Sequence, residues 1–460
     1  MGELQIDYPR RLDLREISLR GSKYNLLAGA AVIRRPVFQQ QWTIGRLLLE
    51  GVRLTAGSRS LNADSVTVSS AELRKDDPRA ERIDIYKPVA AITAEQTGTG
   101  NDRQVRLLDA LPAHHLYLHP GEITLANSRK VAFGLVHADR QKQTVRASYV
   151  GTSFKKSNVS MRNIAIEPGR ITFDSLNISP NRKWYASLEM EETQIAARLG
   201  RVAIREFSIE RYFGKRPVEN LEVDIGYADL DLRRNKLLPD PPPNKKPVTL
   251  DGLIPLPENV RVSAVTIHDG KIRYRQISDK TGEEGHVMMD KLAASARFDH
   301  QSSFISLLAS TRLYQTGAVQ LNYRTLAKDK FKLDIDVRNM DLTRLNEIVM
   351  PLQSLRIKSG YLKEYKLSVH ADDDVATGRA SISYDGLHLE LFKHDDPERK
   401  SLGMEVLSLL ADGIILKHSQ TNAQSIVNHT RVKHKSVFHY WVTSAIQGAT
   451  GAIRRGKKKR

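Results

Sequence analysis

The chain of 460 residues contains no cysteine. That excludes a disulfide framework, a thiolate nucleophile, a Cys-ligated zinc and an iron–sulfur cluster. Aromatic residues make up only 6% and hydrophobic residues 40%, which is little for two compact globular cores, so an extended or repetitive architecture is expected. No run of about 18 apolar residues occurs, and the opening MGELQIDYPRRLDLREISLRG lacks the basic-then-apolar pattern of a signal peptide. Taken alone, the chain reads as soluble. Since Leu12, Leu14, Ile17 and Leu19 already alternate within that opening, the natural start of the family is expected upstream of Met1.

Catalytic patterns are equally scarce. There are 14 histidines, but no HExxH, and the cluster His114, His115 and His119 reads as structural rather than metal-binding. Asp372, Asp373 and Asp374 read as a solvated hairpin tip rather than a calcium site. Gly451, Gly456 and Lys457 approach a phosphate loop, yet Lys458 stands where Ser or Thr would hold magnesium. No nucleophile elbow or dinucleotide fingerprint is present, and adjacent carboxylates such as Glu191 and Glu192 are not placed across a cleft. The reading is therefore a non-enzymatic protein with no catalytic residue, metal or cofactor.

What the chain does carry is charge and alternation. Lys and Arg number 71 against 53 Asp and Glu, a formal charge of +18. An anionic partner follows, either nucleic acid or a phospholipid surface. Nucleic-acid binding is the minor alternative, since no recognition module or aromatic-interleaved basic patch is present. Periodicity is overwhelmingly two: Leu221, Val223 and Ile225 alternate with acids, as do Phe331, Leu333, Ile335 and Val337 with Lys332, Asp334 and Asp336. Half-buried strands are the consequence.

A unit recurs within this alternation: LYLHPGEITL (116–125), IAIEPGRITF (164–173), VTIHDGKIRY (265–274) and LRIKSGYLKEY from Leu355. Each places a turn glycine, Gly121, Gly169, Gly270 or Gly360, where positive φ is affordable. The apolar pairs Leu116 and Leu118, Ile164 and Ile166, Val265 and Ile267, and Leu355 and Ile357 are the candidate groove-lining residues. Weaker copies stand at 66–74 and 83–92, giving a unit of about 45–50 residues. About 20 strands at about 4.8 Å each would extend on the order of 90–100 Å. The fold expected is mainly β: an elongated, repetitive antiparallel sheet curved into an apolar groove, with a few short helices and a C-terminal amphipathic helix.

Organisation is expected as a repetitive β segment over 1–238, a proline-rich linker over 239–260 built on PDPPPNKKP, a second β segment over 261–435, and a helix with a basic tail over 436–460. Within 341–350, Asp341 or Thr343 caps a short helix stopped at Pro351. The last helix places Phe438, Trp441, Val442 and Ile446 on one face ahead of Arg454, Arg455, Lys457 and Lys458. Those residues suit a membrane contact, and the same apolar face suits a plug over the end of the sheet.

The blocks at 261–300, 341–369 and 378–393, with the closing KSVFHYWVTSAIQGATGAI, resemble the AsmA-like proteins of Bacteroidota-type bacteria, relatives of bridge-like lipid-transfer and outer-membrane-biogenesis proteins. The likeness is close in the C-terminal half and rests on the general repeat in the N-terminal half. It implies an inner-membrane helix that this sequence lacks, a periplasmic β-groove in the cell envelope, and a role in moving phospholipid or maintaining the outer membrane. Phospholipid or another acyl lipid, a membrane surface and envelope proteins are the partners expected on that reading. A β-scaffold that organises envelope proteins without carrying lipid is the alternative.

Overall fold

Alternation puts the apolar side chains of a strand on one face and leaves its backbone N–H and C=O groups to be paired along its edges, and lateral pairing is what the chain does. The computed structural model describes residues 5–7, 11–20, 25–38, 42–73, 79–92, 108, 111–214, 216–251, 256–353, 355–391 and 418–453. These residues form 25 strands and a few short helices. The chain separates into two compact units, one of residues 1–181 and 200–218, the other of residues 182–199 and 219–460. The proline-rich segment lies inside the second.

The first unit is a meander of β1 (Gln5–Asp7), β2 (Arg11–Arg20), β3 (Asn25–Phe38), β4 (Trp42–Ala56), β5 (Arg59–Leu73) and β6 (Arg79–Tyr86) with its continuation β7 (Val89–Ile92). A crossover leads to β8 (Ala113–Leu118) and β9 (Gly121–Thr124), which pair with β6 and β7 in parallel. Antiparallel pairing resumes through β10 (Lys130–Phe133), β11 (Val136–Asp139), β12 (Thr144–Ser153), β13 (Ser157–Glu167) and β14 (Gly169–Pro180).

The second unit repeats the plan. β16 (Val218–Asn235), which follows β15 (Gln194–Phe207), pairs in parallel with β18 (Gly270–Ile277). From β17 (Val260–Ile267) and β18 the strands run antiparallel through β19 (Glu284–Phe298), β20 (Phe304–Leu313), β21 (Gly317–Ala327), β22 (Lys330–Asp341), β23 (Leu355–Ala371), β24 (Val375–Leu391) and β25 (Gln420–Thr430). The sheet is mainly antiparallel, as expected, with parallel pairing at two junctions, β6 and β7 with β8 and β9, and β16 with β18. A parallel pair requires a long crossover in place of a tight turn, and Pro239–Pro247 lies within the second of these crossovers.

That crossover is held rather than loose. The buried Arg431 donates to the carbonyls of Lys246 and Pro247 and pairs with Asp373, while Val248 and Leu250 are buried in the core. Asp372–Asp374 forms the β23–β24 hairpin tip, where Lys245 and Lys433 also reach Asp373. Asp341 caps a 3₁₀ turn, Leu342–Leu345, by accepting from the Thr343 amide. Helix α3 (Asn346–Gln353) follows and continues through Pro351. Helices α1 (Arg182–Ala186) and α2 (Ile209–Phe213) are single turns. The last helix, α4 (Val437–Ile453), lies on the sheet with Tyr440, Trp441, Ser444, Gly448 and Ala452 buried. Among the described residues no helix is long and apolar enough to cross a membrane.

Candidate functional site

Strand register assembles an apolar band across the first unit. One row runs Leu12, Ile33, Leu47, Val68 and Ile83, then crosses the parallel junction to Leu116, Ala138, Val145, Ile166 and Ile171. Two residues along each strand, a second row runs Leu14, Ala31, Leu49, Val66 and Ile85, then Leu118, Val136, Ala147 and Ile164. Every position in both rows is apolar. The large side chains are half-buried, with Ile164 buried at 9% exposure, and otherwise only alanines are fully buried.

Two lines of irregular pairing border the band. The register skips Arg35 against Gly45, Gly45 against Ser70, Ser70 against Glu81 and Glu81 against His114 on one side. On the other it skips Glu16 against Gly29 and Gly51 against Asp64. Arg35, Ser70, Glu16, Gly51 and Lys87 have positive φ, between 47° and 61°. Such breaks bend a strand and advance the apolar pattern by three residues instead of two, so Pro36, Ile44, Ala71, Ala80 and Ala113 carry the same face beyond the first line. Strands β3, β4 and β5 are creased on both sides of the band.

The opposite face above β6, β8 and β11 is polar and tightly bonded. Arg82 forks onto Asp84 at 2.6 and 2.7 Å and lies 4.0 Å above the Tyr117 ring. That guanidinium holds the buried Asp84 carboxyl below the usual carboxylate range, with His119 adding to it against the opposing effect of burial. His119 stacks on Tyr86 and His137 on Tyr117. His137 Nε2 lies 3.3 Å from His115 Nδ1; burial first, then the charge of His115, push His137 below the ordinary imidazole value. Among the described residues no group of three or more His, Asp or Glu side chains is arranged to hold a metal.

In the second unit the apolar face is filled from within. Tyr323, Leu333 and Tyr384 are wholly buried, and Phe331, Leu250 and Trp441 pack with them. A groove of about 1000 Å³ does cross β17 to β25, past Ile267. Leu367 and Ala380, which contribute to it, are 2% and 3% exposed, so it runs over their backbone on the polar face. Its walls are two register rows, one including Asn322, Asp334 and Ser368, the other Gln320, Asp336 and Lys366.

The predicted residues are therefore placed as follows. Leu116, Leu118, Ile164 and Ile166 stand together in the two rows of the first unit. Val265 and Ile267 lie on β17, Val265 against the core, and Leu355 and Ile357 are buried on β23. Of the four glycines, only Gly169 turns a hairpin with positive φ, at 74°. Gly121 and Gly270 sit at kinks where a Cβ would come within 2.2 Å of the Pro88 carbonyl oxygen and 2.4 Å of that of Ala228. Gly360 has φ of 153° within β23. On α4, Trp441 belongs to the core, whereas Phe438, Val442 and Ile446 are 46%, 57% and 45% exposed. Arg454, Arg455, Lys457 and Lys458 lie outside the described residues.

Sequence reasoning missed Ile33 and Leu47 and reached Val68 and Ile83 only as parts of the weaker repeat copies; all four stand in the first row. The available signal was a single step of three inside an otherwise strict alternation. The sequence matches no protein-family model, and a search of the curated proteins finds no match.

Proposed function

We propose that this protein holds or conducts acyl lipid along the apolar band of its first unit, as a non-enzymatic component of the cell envelope that supports outer-membrane assembly or lipid homeostasis. The observation that carries the reading is the pair of unbroken apolar rows whose bulky members remain half-exposed. Their hydrophobic surface is available to a guest. Each acyl CH₂ taken from water onto such a face contributes about 0.8 kcal/mol, so tails need no polar contact to be held, and near-equivalent successive strands let them slide. Phosphate-bearing headgroups would remain in water.

The exposed stripe Phe438, Val442 and Ile446, followed by the basic tail, is the part we assign to contact with a membrane surface. A periplasmic setting accords with this assignment and with the resemblance described above.

The test uses a photo-crosslinking residue placed in cells at Leu49, Val66 or Leu118, with Leu48, Thr67 and Tyr117 as neighbours on the opposite face. Phospholipid adducts are expected at the first three positions only. Equal labelling of both faces, or no lipid at either, would overturn the reading and leave the β-scaffold in its place.

A further inference from the structure

The crease next to the first apolar row has an unusual outer side. Arg34 on β3 is in register with Arg11 on β2 and with Arg46 on β4, which places like charges about 5 Å apart at the backbone. Arg35 follows at the crease itself with φ of 51°. A Cβ on the facing Gly45 would come within 3.1 Å of the Arg35 Cβ, so glycine leaves that side chain its room. All four arginines are exposed. Arg11 pairs with Asp13 at 2.9 Å; Arg34, Arg35 and Arg46 have no acidic partner among the described residues. On this crease the acid is Glu81, three strands from Arg34 and 3.9 Å from His115; the other crease carries Glu16, Glu50 and Asp64, and Lys87 pairs with Asp64 at 2.8 Å.

Like charges directly opposite in a sheet destabilise it, so an in-register arginine ladder in which only Arg11 has an acidic partner costs the free protein stability that an anionic ligand would restore. We propose that Arg34, Arg35 and Arg46, flanked by Arg11, form an anion-binding patch that docks the first unit on a membrane surface rich in phosphate-bearing lipid headgroups. The envelope reading above supplies only the choice of a lipid surface. Nucleic acid fits less well, because the row continues into Ser69, which offers no ring on which a base could stack, and the rings farther along this face, Tyr117 and Tyr86, are already stacked by His137 and His119.

The experiment is flotation of the full chain with vesicles of phosphatidylglycerol and phosphatidylcholine in equal parts, and with phosphatidylcholine alone. The variant R34Q/R35Q/R46Q is compared with R15Q/R20Q/R53Q, which removes equal charge from exposed arginines that face no like charge across the strands. Each arginine near an anionic surface is worth about 1 kcal/mol, or about a fivefold change, so the ladder variant is expected to bind anionic vesicles on the order of 100-fold more weakly than the control variant. Its thermal midpoint should hold or rise, because repulsion has been removed.

Equal loss in both variants, retained binding, or a lower midpoint would overturn the proposal. So would competition by inorganic phosphate at constant ionic strength, which would point to free phosphate. Loss of single-stranded oligonucleotide binding without loss of vesicle binding would point to nucleic acid. Lipid adducts at Leu118 should survive in the ladder variant, which separates failure of this patch from failure of the acyl-band reading.

Discussion

His119 Nε2 lies 3.2 Å from Asp84 Oδ1 across the parallel pair β6–β8, and His268 Nε2 stands 3.0 Å from Asp224 Oδ2 at the other parallel junction. The surroundings repeat as well: the His119 amide donates to the Ile85 carbonyl and the His268 amide to that of Ile225. Two residues after each histidine a glycine passes beneath a carbonyl. The same local solution appears once in each unit, wherever the chain enters a parallel pairing after a long crossover.

Asp84 is 4% exposed and fully engaged, so Asp84→Asn leaves Arg82 without its fork. A loss of about 1.5–3 kcal/mol in denaturant unfolding at pH 7 is expected. Because the folded carboxyl is held below its unfolded value, its contribution is present above the ordinary carboxylate range and lost as pH falls through the folded value. The gap between wild type and variant should close on acidification below about pH 4.

Gly121→Ala and Gly270→Ala should each destabilise by roughly 1–3 kcal/mol through clash with backbone that cannot move aside. Gly29→Ala is the contrast. Its added Cβ would meet nothing nearer than the Glu50 carbonyl oxygen at 3.7 Å, so the thermal midpoint should hold or rise.

His439 on α4 is lowered to about 4 by burial first and then by the charge of Lys435. Between about pH 4 and 6.5 the unfolded state then binds more protons than the folded one, so stability rises with pH across that window. His439→Gln should flatten this slope in denaturant titrations at pH 4.5 and 7, removing a difference of about 1–3 kcal/mol.

Arg431 has no side-chain exposure and joins Asp373 to the proline-rich crossover. Arg431→Ala is expected to cost about 3–5 kcal/mol. Arg431→Lys should restore little, since an ammonium cannot make the forked contacts. Tryptic cleavage after Lys245 would report the freed crossover independently.

Strand after strand was legible because alternation is a local consequence of burying one face. Leu116, Leu118, Ile164 and Ile166 could be picked out from their spacing alone, as could the Asp341 cap and the hairpin tip at Asp372–Asp374. The glycines were legible as necessary but not as to why. Gly169 needs a left-handed φ, whereas Gly121 and Gly270 need the absence of a Cβ, and a one-dimensional pattern does not distinguish these.

The sequence by itself determined the mainly β class, the polar and apolar faces of most strands, and the exclusion of cysteine chemistry. Only the tertiary structure decided which residues share a row, because register is set between strands and, at the parallel junctions, across long crossovers, and a break at Arg35 or Gly51 shifts every later side chain. It also decided that Trp441 faces the core while Phe438, Val442 and Ile446 face outward. A helix apolar on two sides cannot choose between them until a sheet of matching small residues, such as Ala380 beneath Gly448, receives one of them.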